Sequence, residues 1–500
     1  MLTWSKTKRR RTTAALLLLA VAAVYHVSPA AGETALDAQP HRNVLLILAD
    51  DLRPALGCYG HPIVKSPNID RLAASGTIFT HAYCQLPSCC PSRTSLLTGL
   101  RPESTHVLSN GDAHFREHLP EVVTLPQRFK SQGAWCMELG KVFHRRDPRS
   151  WSEPKWIPEP PLAYPIYRTP PNIERQRQAR VTPKPDDWWG YSKWIKADSW
   201  EAPDVADDAL FDGLLAGKAV ELLAQHKDER FFLAVGFFRP HLPFIAPKKY
   251  FDLYPQESIT LPENDAPPKD APTFAAHNSP ESRSYDDIPR GGAIAKQKQR
   301  QLLRAYYASV SYVDAQIGRV LDALEDNGLA ENTVVVLVSD HGYHFGEHGM
   351  WNKLTNFEEA TRATLIVRAP GHKPGRSPRL VELVDLYPTL CALCDVPPSA
   401  DLEGTSFAPL LDAPDRPWKT AAFSQANPRG VMGYSLRTER YRYVAWRKNG
   451  EVVAEELYDH RRDTGENVNL AESSEKQVVL EQLRGQLTAG WRADMQNTIE

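Results

Sequence analysis

Continuous apolar runs and amphipathic stretches alternate along most of this chain. Residues 43–51 (NVLLILADD) form an apolar run that ends in acid, the pattern of a parallel strand buried on both faces. The stretch that follows at 66–76 (SPNIDRLAASG) predicts a helix, with Ser66 as the N-cap, Pro67 at the first helical position and Gly76 past the end. This opening pair of elements therefore predicts a strand followed by a helix.

The same alternation continues downstream. Apolar runs predict further strands, and residues with helical spacing predict further helices. The predicted strands are 134–144, 231–238 and 333–340, and the predicted helices are 124–133, 207–229, 305–328 and 380–399. Strands that alternate with helices indicate an α/β fold with a large, mainly parallel sheet flanked by helices.

Three regions depart from this pattern. Residues 145–203 are dense in Pro and Trp without a clear period, which predicts an ordered loop insertion over one face. Residues 253–296 are polar and Pro-rich and are expected to be mostly loop. After about residue 427, short strand-like pieces and a charged helix predict a small α+β subdomain with a short antiparallel sheet. We therefore expect a main α/β domain over 40–426 and a C-terminal subdomain over 427–500.

The N-terminus has the pattern of an export signal. A basic run at 6–11 precedes apolar residues 14–24 and small residues 28–32, which predicts a secretory signal peptide over 1–31. A membrane anchor is the alternative, but the apolar run is short for a span. Export to the periplasm or the medium is thus expected, with no membrane-spanning segment after cleavage. The 59 basic and 61 acidic residues nearly balance, so no global charge favours nucleic acid.

Seven cysteines in 500 residues do not form a disulfide scaffold. Cys391 and Cys394 lie in the predicted helix 380–399, and we interpret them as half-buried core residues rather than a redox pair. Cys89 and Cys90 are adjacent in the segment LPSCCPSRTSLLTG, and adjacent cysteines rarely pair with each other. At least one of them is therefore expected to have another task.

Two predicted strands end in possible metal ligands. Asp50 and Asp51 end the first strand, and Asp340 and His341 end the strand at 333–340. Such residues also serve as helix caps, but ligands of α/β sheets bind at the carboxyl ends of strands. Three carboxylates favour a hard ion, Ca²⁺ or Mg²⁺, with Mn²⁺ and Zn²⁺ as lesser alternatives.

The cysteine pair adds an anion site to this picture. Pro91 fits the first position of a helix, so Cys89 and Cys90 would lie at a helix N-terminus, where backbone N–H groups attract anions and acidify a thiol. Arg93 adds a permanent positive charge. A metal, a helix N-terminus and an arginine together predict a site for a tetrahedral oxyanion such as sulfate or phosphate.

The segment CCPSRTSLLTG resembles the signature Cys-x-Pro-Ser-Arg followed by Thr-Gly of the sulfatase family, which has an alkaline phosphatase-like fold. The resemblance extends from residue 43 to residue 471. It implies that Cys89 is the signature cysteine, which a formylglycine-generating enzyme oxidises to Cα-formylglycine, and that Cys90 is a small buried neighbour. The branch of the family that resembles this chain most desulfates uronic acids of glycosaminoglycans.

The resemblance also implies the roles of individual residues. The metal ligands, for one Ca²⁺ per chain, would be Asp50, Asp51, Cys89, Asp340 and His341. The anion-binding and proton-transfer residues would be Arg93, Lys141, His144, His241 and Lys353. In the family's mechanism His241, assisted by Lys353, protonates the departing sugar oxygen, whereas His144, beside Lys141, promotes release of sulfate. The implied substrate is a sulfated saccharide.

Three alternatives stay open on the sequence. A phosphomonoesterase or phosphonate hydrolase of the same superfamily would favour a Ser or Thr nucleophile and a two-zinc cluster. An inactive sugar-binding relative would lack some of the matched lysines and histidines, but every matched position is filled. A thiol redox protein using Cys89 and Cys90 is the third alternative.

Overall fold

The computed structural model describes residues 42–158, 167–178, 197–277 and 279–496. The predicted signal peptide at 1–31 lies outside the described residues. So do Trp188, Trp189 and Trp194 of the Trp- and Pro-rich segment, for which an ordered loop was predicted. Within the described ranges, no helix combines the length and the apolar character needed to cross a bilayer.

Strands in the described ranges form three sheets. The large sheet has the order β10-β2-β9-β7-β1-β5-β3, with β8 beside β2; β4 and β6 pair alone, and β11 to β14 form a separate sheet in that order. The strands are β1 (Asn43–Ala49), β2 (Thr77–Tyr83), β3 (Trp135–Gly140), β4 (Trp200–Glu201), β5 (Phe231–Phe237), β6 (Phe244–Ile245), β7 (Thr333–Ser339), β8 (Arg362–Ala363), β9 (Leu365–Arg368), β10 (Gly375–Glu382), β11 (Ala421–Ala426), β12 (Met432–Thr438), β13 (Tyr441–Lys448) and β14 (Glu451–Asp459).

Helices flank the large sheet on both faces. They are α1 (Pro67–Ser75), α2 (Cys89–Thr98), α3 (Pro102–Thr105), α4 (Phe115–His118), α5 (Leu125–Ser131), α6 (Pro170–Gln178), α7 (Phe211–Gln225), α8 (Lys248–Phe251), α9 (Lys296–Asp326), α10 (Glu358–Thr361), α11 (Leu386–Leu393), α12 (Pro409–Asp412) and α13 (Gln477–Gln496). One apolar core contains side chains of α1, α7 and α9. The other contains side chains of α2, α5 and α11.

Strand β1 shows why its sequence is apolar without interruption. All seven of its residues are buried, and it pairs in parallel with β5 and β7. Because successive side chains of a strand point to opposite faces, Leu45 and Ile47 join one core and Leu46 and Leu48 join the other. This double burial confirms the strand predicted from residues 43–51.

The fold class predicted from the sequence is confirmed. Four strands of the large sheet, β7, β1, β5 and β3, are mutually parallel, and β9 runs antiparallel to β2 and β7. The C-terminal sheet is antiparallel throughout, and α13 packs against it through Leu480 and Leu483. This sheet begins at β11, before the predicted boundary at residue 427.

Some predicted elements have different bounds. The apolar stretch 380–399 is not one α-helix, because the residues up to Glu382 belong to β10 and pair with β2. A 3₁₀ turn at Leu383–Asp385 follows, and then α11. Helix α9 begins at Lys296, ahead of the predicted residue 305. Cys391 and Cys394 are free thiols that are fully buried rather than half-buried.

Candidate active site

The predicted site residues follow the carboxyl ends of four adjacent parallel strands. Asp50 and Asp51 follow β1, Lys141 and His144 follow β3, His241 follows β5, and Asp340 and His341 follow β7. Helix α2 presents Cys89 and Arg93, and the loop before α10 presents Lys353. Parallel strands end at the same edge of a sheet, so the topology gathers side chains that are far apart in sequence.

Four potential metal ligands meet at this edge. Ligand atoms of Asp50, Cys89, Asp340 and His341 lie within 4.8 Å of one another, and all four residues are buried. Asp51 lies beside them, with Oδ1 3.5 Å from His341 Nε2. Buried carboxylates this close together repel each other unless positive charge lies between or beside them. The residues therefore fit a divalent cation, and the number of carboxylate oxygens suits a hard ion.

Backbone conformation brings the two acidic strand ends together. Asp51 has a φ of 63°, in the left-handed region that non-glycine residues seldom occupy. Its backbone N–H donates to Asp340 Oδ1 at 3.2 Å. Strained backbone of this kind persists where the surrounding structure holds it, and it is common at functional sites.

Arg93 lies between the acidic residues and is fully buried. Its Nε donates to Asp340 Oδ2 at 2.9 Å and its guanidinium donates to Asp50 Oδ1 at 3.2 Å. Burial acts to lower the pKa of Arg93, but the carboxylates of Asp340 and Asp50 outweigh it and raise that pKa. Arg93 thus supplies a fixed positive charge beside Cys89.

Lys141 and His144 form the side of the site that follows β3. Lys141 Nζ donates to Asp50 Oδ2. Burial, followed by the charges of Lys141 and Arg93, lowers the pKa of His144 well below its usual value. Its Nδ1 is buried and has no hydrogen-bond partner among the described residues. The imidazole of His144 is therefore neutral and suited to accept a proton.

His241 and Lys353 form the opposite side of the site. Lys353 Nζ donates to both carboxylate oxygens of Asp51, at 2.8 and 2.9 Å. His241 Nε2 lies 3.8 Å from Asp51 Oδ2. Burial and Lys353 act to lower the pKa of His241, but Asp51, Asp50 and Glu281 outweigh them and raise it. His241 is therefore suited to donate a proton, in contrast to His144.

Glu281 was missed by the sequence analysis. Its carboxylate contacts both His241 and Lys353, at 3.1 and 3.2 Å. It lies in the polar segment 253–296, which shows neither periodicity nor a motif at this position. Two nearby histidines, His344 and His348, are also buried, and His344 Nε2 bonds to Thr355 Oγ1 at 2.8 Å.

Two details of the cysteine segment differ from the prediction. Helix α2 begins at Cys89, two residues before Pro91, with Ser88 as the N-cap. The pKa of the Cys89 thiol is raised rather than lowered, because burial and the Asp50 carboxylate outweigh Lys141 and Lys353. Cys90 is buried, as predicted.

This chain belongs to the sulfatase family. The sulfatase family model matches residues 42–146 and 154–396, and a model described as N-sulphoglucosamine sulphohydrolase, C-terminal, matches residues 346–492. Iduronate 2-sulfatase of Mus musculus is 34% identical to this chain, over 91% of this chain and 95% of the relative.

Solved structures share the fold. One is a protein in complex with its substrate D-glucosamine-2-N,6-O-disulfate, with a TM-score of 0.70, 22% identity and coverage of 92% of this chain and 100% of the other. Another is the phosphonate monoester hydrolase of Agrobacterium radiobacter, with a TM-score of 0.68, 24% identity and coverage of 90% and 95%. Both similarities concern the fold alone.

Proposed function

We propose that this protein is an exported sulfatase that removes sulfate from a sulfated sugar through a formylglycine at position 89. The observation that carries the proposal is the position of Cys89. Its Sγ lies 3.5 Å from both Asp50 Oδ1 and His341 Nε2, at the first turn of a helix and beside the buried Arg93. A nucleophile there would face a sulfate held by positive charge on several sides.

Two groups would complete this site. Asp50, Asp51, Cys89, Asp340 and His341 would hold one divalent cation, for which we propose Ca²⁺ with Mg²⁺ as the lesser alternative. Such a cation would supply Lewis-acid polarisation of sulfate oxygens, and a hydrated aldehyde at position 89 would supply one hydroxyl to attack sulfur and a second to expel sulfate. Oxidation of Cys89 would require a formylglycine-generating enzyme as a partner during maturation.

His241 and Lys353 would act on the leaving group of the reaction. A sugar alkoxide leaves poorly without a proton, so an imidazole that keeps its proton in the buried site is suited to supply one. The carboxylates around His241 favour its protonated form, as the raised pKa indicates. Lys353 adds positive charge next to Asp51, where oxygens of a bound sulfate would need it.

His144 and Lys141 would act in the release of sulfate. A neutral imidazole whose Nδ1 has no hydrogen-bond partner among the described side chains is ready to accept a proton. Burial, followed by the charges of Lys141 and Arg93, lowers its pKa and so favours the neutral form. We propose that His144 removes the proton that allows the bound sulfate to leave.

The 34% identity to iduronate 2-sulfatase over most of both chains supports iduronate 2-sulfate in a glycosaminoglycan as the substrate. Other sulfated uronates and algal polysaccharides are chemically similar candidates. The basic and apolar N-terminal pattern supports export.

A phosphonate or phosphate monoesterase is the second candidate, supported by the shared fold with a phosphonate monoester hydrolase. Sulfate and phosphate esters are both tetrahedral oxyanions, so the charges of this site do not exclude either. The test is turnover of the purified, matured protein on sulfated di- and oligosaccharides, an aryl sulfate and an aryl phosphonate. Faster turnover of the phosphonate than of every sulfate would reject the sulfatase proposal.

A further inference from the structure

One carboxylate joins the two cationic side chains on the leaving-group side. Glu281 Oε1 lies 3.1 Å from His241 Nε2, and Glu281 Oε2 lies 3.2 Å from Lys353 Nζ. The side chain of Glu281 is 12% exposed. Burial raises the pKa of Glu281, but Lys353 and His241 outweigh it and lower that pKa, so the carboxylate is ionised.

The backbone that carries Glu281 is tied to the backbone that carries Lys353. Glu281 precedes a 3₁₀ turn, Ser282–Ser284. The Trp351 N–H donates to Ser279 Oγ at 2.8 Å, and Ser282 Oγ donates to the Trp351 carbonyl. Ser279 and Ser282 flank Glu281 in sequence, and both bond to Trp351, two residues before Lys353. These bonds therefore connect the backbone that carries Glu281 to the backbone that carries Lys353.

The ring of His241 is held at both nitrogens. Its Nδ1 bonds to the Leu242 carbonyl at 2.6 Å, and its Nε2 faces Glu281. One hydrogen bond alone would leave the ring free to tilt about that contact, whereas two opposed partners define its plane. Asp51 also faces this ring, but at a greater distance, with Oδ2 3.8 Å from Nε2.

Lys353 also depends on Glu281 once the metal site is considered. Its ammonium group also donates to Asp51, a proposed metal ligand. A carboxylate that also serves a divalent cation offers less of its charge to an ammonium group. Glu281 is not a proposed metal ligand, so its negative charge remains available to both His241 and Lys353.

We propose that Glu281 is a positioning residue for the leaving-group half of the reaction, fixing the His241 ring and the Lys353 ammonium relative to the departing sugar oxygen. This inference rests on the proposed sulfatase function and assigns a role to a residue outside the family signature. Displacement of a reacting group by about 1 Å costs on the order of 10²-fold in rate, so loss of this bridge should be visible in turnover.

A purely structural carboxylate would behave differently. Loss of structure alone lowers the amount of active enzyme and therefore affects all substrates alike. Loss of positioning at the proton donor affects a sugar sulfate, whose leaving group needs the proton, more than an activated aryl sulfate, whose leaving group does not. The ratio of kcat on the two substrates is independent of the fraction of protein that is folded.

The experiment compares Glu281→Gln and Glu281→Ala with the wild type in matured, metal-loaded protein. We expect Glu281→Gln to lose about 10- to 100-fold in kcat on a sulfated disaccharide and less than about 3-fold on nitrophenyl sulfate, with KM changed little. Glu281→Ala should show the same substrate dependence. Metal content, measured by elemental analysis, should equal that of the wild type.

Asp287 provides the matched control. It is a carboxylate of the same segment, 16% exposed, and it accepts bonds from Ser199 and Lys298 rather than from the site. We expect Asp287→Asn to lower the thermal unfolding midpoint and to leave the ratio of the two kcat values unchanged. Equal losses of Glu281→Gln on both substrates, or no loss on either, would overturn the positioning role. A wild type that carries formylglycine but cleaves neither sulfate would instead reject the sulfatase proposal itself.

Discussion

Cys89 and Cys90 are neighbours in sequence but lie in different surroundings. The Sγ atom of Cys89 is 3.5 Å from Asp50 Oδ1 and from His341 Nε2, whereas the side chain of Cys90 belongs to an apolar core. The backbone N–H of Cys90 donates to Asn110 Oδ1 at 2.8 Å. Successive residues of a helix point about 100° apart, so only the first of the two cysteines reaches the site.

This difference leads to a test of the nucleophile. In protein produced with a maturation system, the tryptic peptide that contains Cys89 should carry the mass of formylglycine at that position. Cys89→Ala should abolish turnover, whereas Cys90→Ala should keep measurable activity and lose about 1–3 kcal/mol of stability through the smaller core side chain. Fully active protein with an unmodified thiol at position 89 would falsify the aldehyde mechanism.

The acidic cluster predicts one tightly bound divalent ion. Asp340→Asn removes a charge that faces both the ligand cluster and Arg93 Nε, so we expect at least about a 10- to 100-fold loss of metal affinity and a parallel loss of activity. Elemental analysis of the wild type should give one calcium per chain, and a chelator should remove activity that Ca²⁺ restores. Two zinc ions per chain would favour the phosphatase alternative.

His241 is predicted to matter most for poor leaving groups. General acid catalysis supplies about 10²–10⁴-fold, so His241→Ala should lose about that much on a sulfated sugar and much less on an aryl sulfate. Steady-state kinetics on both substrates test this expectation. Equal losses would remove His241 from the role of proton donor.

His144 is predicted to act after the ester bond breaks. His144→Ala should complete a first turnover and then stop, because the side chain proposed to take the proton in the release step is gone. Rapid-mixing kinetics should therefore show a burst of released alcohol, and mass spectrometry should find sulfate attached to the enzyme. An absence of both burst and adduct in a folded variant would remove His144 from the release step.

Stability should depend strongly on a buried ion network at the C-terminal sheet. Arg442 is fully buried, and its guanidinium contacts Glu466 at 2.6 Å and Glu358 at 2.5 Å. Arg442→Met leaves both carboxylates without this partner, which typically costs about 3–5 kcal/mol of unfolding free energy.

Denaturant unfolding of both variants tests this network. The control is Arg484→Ala, which breaks a more exposed ion pair of Arg484 with Glu455 and should cost less than about 1 kcal/mol. Similar losses for the two variants would contradict the argument.

Sequence patterns located the four parallel strands β1, β3, β5 and β7 and the acidic residues that follow β1 and β7, because apolar runs and terminal acids such as Asp50 and Asp340 are local signals. They did not locate Glu281, which meets His241 only through the path of a loop without periodicity. They also merged β10 and α11 into one helix, since apolar residues next to Glu382 fit either element and pairing with β2 decides between them.

The burial of α2 also limits when Cys89 can be modified. All ten residues from Cys89 to Thr98 are buried, so another protein would find no access to the cysteine once this helix has docked. Oxidation to the proposed formylglycine would therefore have to precede folding of this segment. Production without the maturation enzyme would then yield folded, permanently inactive protein, and adding that enzyme afterwards would not restore it.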